Sequence, residues 1–184
     1  DGTLPPAQAV VHSTATSGAG IAYIFALYLL GDVATSLLDL ATIGIVGDMM
    51  PTTGLNRSLI KYGLAQLTKS TRPGVKAIKA AMGITDKSLT TYDISFGIAP
   101  RINAAGRIYN PTDALRLLCT SDQSQAQALA EQIESHNKDR QSFTDQALEH
   151  ATNQPDSHNI LVIIGNYHEG VIGLVAGKLV EKNA

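Results

Sequence analysis

The stretch APRINAAGRI, residues 99–108, gathers side chains suited to holding an anion. Arg101 and Arg107 bracket Asn103, two alanines and Gly106. A guanidinium presents a fixed fork of donors that matches phosphate oxygens, and asparagine adds an amide donor. Ala-Ala-Gly keeps the backbone slim, so a sugar-phosphate could come close. The stretch is too small and polar for a core strand. Gly and Asn also make a poor helix interior, so it reads as a loop. The arginines could instead cap helix C-termini or pair with Asp93 or Asp113. The residues alone leave both readings open.

Two other places carry candidates. Asp48, in GIVGDMMP, ends an apolar run. A carboxylate at the edge of a core is costly unless it is paired, caps a turn or binds a metal. No His, Asp or Glu cluster stands near it, so a metal there would need ligands from elsewhere. Asp39 lies about half a turn out of phase with it on a helix and reads as structural. In NYHEGVIGLVAGKL, His168 and Gly170 stand at a strand-to-helix turn. A helix N-terminus offers free N–H groups and a partial positive charge. His168 could cap that helix or supply a hydrogen bond or a proton. His12, His136, His150 and His158 show no metal-ligand spacing. The serines show no nucleophile elbow.

Charge is unevenly distributed. The net charge of −2 argues against a general nucleic-acid binder. Yet residues 49–85 hold Arg57, Lys61, Lys69, Arg72, Lys76 and Lys79 with no Asp or Glu, while acids gather in 113–156. One face could meet phosphates, or these lysines could be ordinary solvated helix faces.

The elements that position these residues read as follows. A short buried strand (7–12) leads to an apolar, buried helix (17–30) with a Gly-Ala-Gly opening suited to close approach. A second apolar helix (36–51) ends at Gly47 and Pro51. Amphipathic helices follow at 56–69, with Asn56 as N-cap, and at 72–83, with Pro73 early and Gly83 at the end. Residues 90–100 are short and helical, and 111–119 form another short helix. Residues 121–154 contain no Gly and no internal Pro and carry a thin stripe of Leu129, Ile133, Phe143, Ala147 and Leu148. This is a long helix, read as a strut between domains. After a break at 153–159, the β-branched run ILVIIG (160–165) reads as a buried strand, and 168–182 as a helix.

At 184 residues, 44% hydrophobic and without tryptophan, the chain is one ordinary domain or two small ones with a core of Ala, Leu, Ile and Val. Its single cysteine, Cys119, excludes an intrachain disulfide and fits a reducing, cytoplasmic setting. Apolar runs reach about a dozen residues before Gly, Tyr or Asp interrupts, so no membrane partner is expected. The start, DGTLPPAQAV, lacks Met and reads as a piece of a longer protein. One final strand and helix cannot bury both faces alone, so the second domain also reads as cut.

Several stretches in order resemble RecJ-type single-strand-specific exonucleases of the DHH phosphoesterase superfamily. They are LPPAQAVV with SGAGIAY, LLDLATIGIVGDMMP, NRSLIKYGL, RPGVKAI, FGIAPRINAAGR, HNKDRQ and YHEGVIGLVAGKL. The resemblance implies an α/β fold with a parallel-sheet DHH domain. Residues 1–118 would be its C-terminal part, 119–154 a connecting helix, and 155–184 the start of a smaller α/β DHH-associated domain. It implies a two-metal Mn²⁺ or Mg²⁺ centre that hydrolyses phosphodiesters from the 5′ end of single-stranded DNA, in recombination and repair with other repair proteins. Asp48 matches the family's metal-binding and catalytic Asp. Arg101, Asn103 and Arg107 match the motif along the phosphate path, and His168 and Gly170 match the first motif of the associated domain. Ile45, Gly47 and Thr52 depart from the family's usual Thr, Ala and Leu. The family's upstream aspartates and Asp-His-His triplet are missing, so the chain alone is expected not to assemble the metal centre. A DHH-type phosphodiesterase for short oligonucleotides or cyclic dinucleotides, and a non-catalytic scaffold of the same family, are the alternatives.

Overall fold

A computed structural model describes residues 6–85, 87–153 and 162–183. The expected parallel sheet is absent: the fold is 74% helical, with no strand among the described residues. Residues 7–12 run as irregular, exposed backbone. Ile160 and Leu161 lie outside the described residues, while Val162–Gly165 are irregular and Val162 and Ile164 are exposed. A strand needs a neighbour to pair its N–H and C=O groups. No strand is formed by either segment among the described residues, so β-branched content alone does not make one. The chain forms two compact units, Asp1–Ala99 and Pro100–Ala184.

In the first unit, α1 (Gly18–Leu30) is capped by Ser17, whose Oγ accepts from the Gly20 N–H at 3.3 Å. A 3₁₀ segment (Gly31–Leu37) leads into α2 (Leu38–Gly47). Ala19 abuts Gly44, and Tyr23 packs with Leu38 and Ala41, so the two helices fold back as an antiparallel hairpin. By length and composition Gly18–Gly47, with mean hydropathy 1.8, would suffice to cross a membrane, a longer run than the sequence reading allowed. Gly31, at φ 60°, breaks it there. Of the Gly-Ala-Gly opening only Ala19 makes the helix-on-helix contact; a β-carbon at Gly18 would meet nothing, and one at Gly20 would meet Thr16. The expectation that α1 is buried fails: only Gly20 and Tyr23 are buried. A helix apolar on every side needs cover on every side, and α2 covers one.

The helix α3 (Gly54–Thr68) is entered through Thr53, not Asn56. Asn56 is buried and its Nδ2 donates to the carbonyls of Ala15 at 3.0 Å and Pro51 at 3.1 Å. It therefore ties the N-terminal segment to the α2–α3 turn rather than capping a helix. A β-carbon on Gly63 would run into the Thr42 hydroxyl, which marks the closest approach of α2 and α3. The next helix, α4 (Pro73–Ala81), has Pro73 at its start, and Gly83 follows at φ 71°. Asp39 is structural, as expected. Its carboxylate accepts from Ser70 Oγ at 3.0 Å and Arg72 Nε at 2.9 Å. Thr90 and Asp93 form a capping box for α5 (Thr91–Asp93), which continues as a π turn (Ile94–Ile98).

From α6 (Ala99–Ile108), whose first residue closes the first unit, the second unit continues through α7 (Thr112–Cys119), α8 (Gln123–Thr152) and α9 (Glu169–Asn183). The 30-residue α8 starts at Asp122, whose Oδ1 accepts from the Gln125 N–H at 2.7 Å. Its stripe buries Ala126, Ala130, Ile133, Ala147 and Ala151. Ala147 and Ala151 form a core with Val175 and Leu179 of α9, flanked by Leu148, Ile163 and Tyr167.

Candidate functional site

Residues 99–108 are not a loop; they form α6. Ala104 and Ala105 are fully buried. Burial of that small pair outweighs the weak helix propensity of Asn103 and Gly106. Arg101 pairs with neither Asp93 nor Asp113. Its Nε donates to Glu134 on α8 at 2.6 Å, in a largely buried ion pair. Asp93 takes Lys87 as its partner, and Asp113 takes Gln132 and Arg116. Asn103 and Arg107 are exposed.

Arg107 reaches the start of α9. Its Nη1 donates to the Gly170 carbonyl at 3.4 Å, and a β-carbon on Gly170 would run into the Arg107 carbonyl. His168 caps α9: its Nδ1 accepts from the Gly170 N–H at 3.1 Å and its carbonyl from the Val171 N–H at 3.0 Å. No strand precedes that turn among the described residues. The His168 ring lies parallel to Phe143 of α8, with centroids 5.8 Å apart.

The HNKDRQ segment of α8 completes the junction. His136 is buried and stacks on Tyr109, just after α6, with centroids 3.7 Å apart. The Tyr109 hydroxyl donates to Asp139 at 2.7 Å, and that carboxylate raises the phenol's pKa above its ordinary value. Arg140 Nη2 donates to the buried Asn137 at 2.9 Å. The Arg140 pKa is lowered, first by burial and then by repulsion from Arg107 and Arg101, while Asp145 works the other way. One junction therefore unites α6, the middle of α8 and the N-terminus of α9. Sequence reasoning gave no role to Arg140 or Glu134. The i, i+3 spacing of Asn137 and Arg140 in HNKDRQ was the available signal.

Asp48 belongs to the first unit. Its backbone closes α2 by donating to Gly44 at 2.9 Å, followed by Met49 N–H to Val46 at 3.0 Å and Met50 N–H to Ile45 at 3.2 Å. This pair of bonds normally places a glycine in the left-handed region; here Met49 sits there, at φ 53°. The Asp48 carboxylate is exposed and has no partner among the described residues. Gly47 beside it packs on Ala99.

No family model matches the chain. Curated proteins do. The chain is 35% identical to the single-stranded-DNA-specific exonuclease RecJ of Bacillus subtilis, over 97% of this chain and 25% of that protein. It is 36% identical to the Thermus thermophilus RecJ, over 98% of this chain and 28% of that protein. The crystal structure of the Thermus thermophilus RecJ with Mn²⁺ superimposes with a TM-score of 0.78 at 34% identity, covering 88% of this chain and 25% of that one. A manganese-bound exonuclease RecJ superimposes with a TM-score of 0.76, also at 34% identity, covering 88% of this chain and 42% of that one.

The chain is similar to a segment of RecJ. It spans about a quarter of the length of the curated RecJ proteins it matches first. The expected site residues separate between the units: Asp48 lies in one, and Arg101, Asn103, Arg107, His168 and Gly170 in the other. Among the described residues no three His, Cys, Asp or Glu side chains gather as a metal-binding group. One exposed carboxylate suits a hard divalent cation, but the described residues alone do not make a two-metal centre.

Proposed function

We propose that this stretch belongs to a metal-dependent exonuclease that degrades single-stranded DNA from its 5′ end. The meeting of Arg107 with Gly170 carries the reading, because it joins the RINAAGR and HEG segments at one point. The exposed Arg107 offers guanidinium donors to a phosphodiester, with the Asn103 amide exposed on the same short helix. Arg101, held by Glu134, adds positive potential from inside the junction. His168 acts by capping α9, and Gly170 by admitting the Arg107 backbone. Asp48 contributes one oxygen ligand to a Mn²⁺ or Mg²⁺ centre whose other ligands lie outside the described residues.

In this proposal residues 1–118 belong to a DHH domain, 119–154 to the connecting helix and 155–184 to the associated domain. Work in cytoplasmic DNA recombination and repair, alongside other repair proteins, is part of the same reading. Both relatives are named as single-stranded-DNA-specific exonucleases, and this supports it.

The test uses the full-length protein carrying this stretch, with Mn²⁺ and 5′-phosphorylated single strands labelled at either end. Stepwise loss of nucleotides from the 5′ end is expected. Asp48→Ala should abolish it and Arg107→Ala should weaken it. A parent that binds single strands yet leaves them intact would replace the nuclease with a scaffold.

A further inference from the structure

Arg140 has no assigned role, yet its charge is repelled by both Arg107 and Arg101. On α8 it is flanked by Asp139, which receives the Tyr109 hydroxyl, and by Phe143, which stacks on His168. One neighbour thus ties to the end of α6 and the other to the start of α9. Arg140 also lines a cavity of about 520 Å³ between α8 and α9, whose α9 wall includes Gly173 and Gly177. Gly170, Gly173 and Gly177 are spaced to share one side of α9. Arg107 stands at the first of them and Arg140 borders the other two. A β-carbon at Gly173 or Gly177 would meet nothing, so the helix surface there is open to a ligand.

The donor inventory of Arg140 is incomplete. Nη2 donates to Asn137, but Nε is buried and has no partner among the described residues. A buried unpaired donor of a charged group is costly and calls for an acceptor. Arg107 and Arg101 both repel the Arg140 charge, and Glu134 answers only Arg101. An anion between Arg107 and Arg140 would relieve the repulsion, held by the exposed Arg107 and by the part of Arg140 that lines the cavity. On the same lining Lys178 pairs with Asp145 at 3.3 Å, Asp145 also attracts the Arg140 charge, and Glu181 adds a further negative charge. An anion is therefore favoured only where the Arg107 charge joins that of Arg140.

We infer that Arg140 and Arg107 form a phosphate subsite at the N-terminal end of the α8–α9 groove, one that takes a backbone phosphate of the bound single strand. The inference rests on the single-strand reading above and adds Arg140 to it as a binding residue.

Salt-dependent binding of oligo(dT) to the full-length protein tests it. Arg140→Gln should weaken binding about ten-fold and lower the slope of log affinity against log salt by about 0.7, the value of one phosphate contact on a single strand. Arg140→Lys should keep the slope and lose part of the affinity, and Lys178→Gln should change neither. A second measurement needs no variant: oligo(dT) should slow phenylglyoxal modification of Arg140 in the wild-type protein. An unchanged slope, or unhindered modification, would overturn the subsite. If Arg107→Gln still weakened binding in that case, the nuclease reading would stand without it. A wild-type protein that does not bind oligo(dT) would remove both.

Discussion

The carbonyl oxygen of Arg107 fills the space in which a side chain at position 170 would grow. Neither partner is the loose end of a flexible side chain, so neither can swing aside. Gly170→Ala should therefore cost about 1–3 kcal/mol in the second unit, as overpacking does elsewhere. Urea unfolding of the single variant and of the Gly170→Ala, Arg107→Ala double variant checks it. Because the collision is with backbone, removing the Arg107 side chain should not rescue stability.

The two arginines of α6 should separate in solution. Arg101 is braced by Glu134 and largely buried, whereas Arg107 is exposed. Arg101→Ala should lower stability by about 1–2 kcal/mol, between the values for surface and buried pairs. Arg107→Ala should leave the melting temperature nearly unchanged but weaken single-strand binding. Equal effects on stability would refute this division.

Met49 holds a backbone conformation that suits glycine, and its side chain is 87% exposed. Little packing is lost on removing that side chain, while left-handed strain is relieved. Met49→Gly should stabilise the first unit by about 1 kcal/mol, and Met49→Ala should not. Thermal unfolding of the three proteins distinguishes them.

Acid should loosen the start of α5. The Thr90 hydroxyl, then the Thr90 backbone N–H, hold the Asp93 pKa below its ordinary value; burial opposes them and Lys87 adds to them. A depressed folded-state pKa stabilises above the unfolded value of about 4. That stability is lost as pH falls through the folded value. Thr90→Val should flatten the decline of stability below about pH 4, read from denaturation midpoints across an acid series. An equally steep decline would show that Thr90 does not hold the carboxylate.

Much of the helical framework was legible because it depends on local features. α8 needed only a run free of Gly and internal Pro, and α4 announced itself with Pro73 and Gly83. The failures lie where distant partners decide. Whether 7–12 became a strand depended on a neighbour to pair with, which its own residues cannot reveal; the 160–165 run lies partly outside the described residues. The 99–108 segment became helix because Ala104 and Ala105 are buried, an outcome that local propensity does not register. Asn56 looked like a cap but serves residues 41 positions and 5 positions away. At the site, the motifs named Arg101 and Arg107 alike. Glu134, 33 positions on, sets them apart.

The outer side of α1 has a colloidal consequence. Ile24, Phe25, Tyr28, Leu29 and Leu30, with Val33 just beyond, stand in solvent. A continuous apolar surface of this kind drives self-association, and a net charge of −2 gives little repulsion against it. Prepared by itself, this stretch should scatter light increasingly with concentration and bind hydrophobic dyes while still folded. Raising the ionic strength should worsen the clouding, and replacing Phe25 and Leu29 with lysine should clear it.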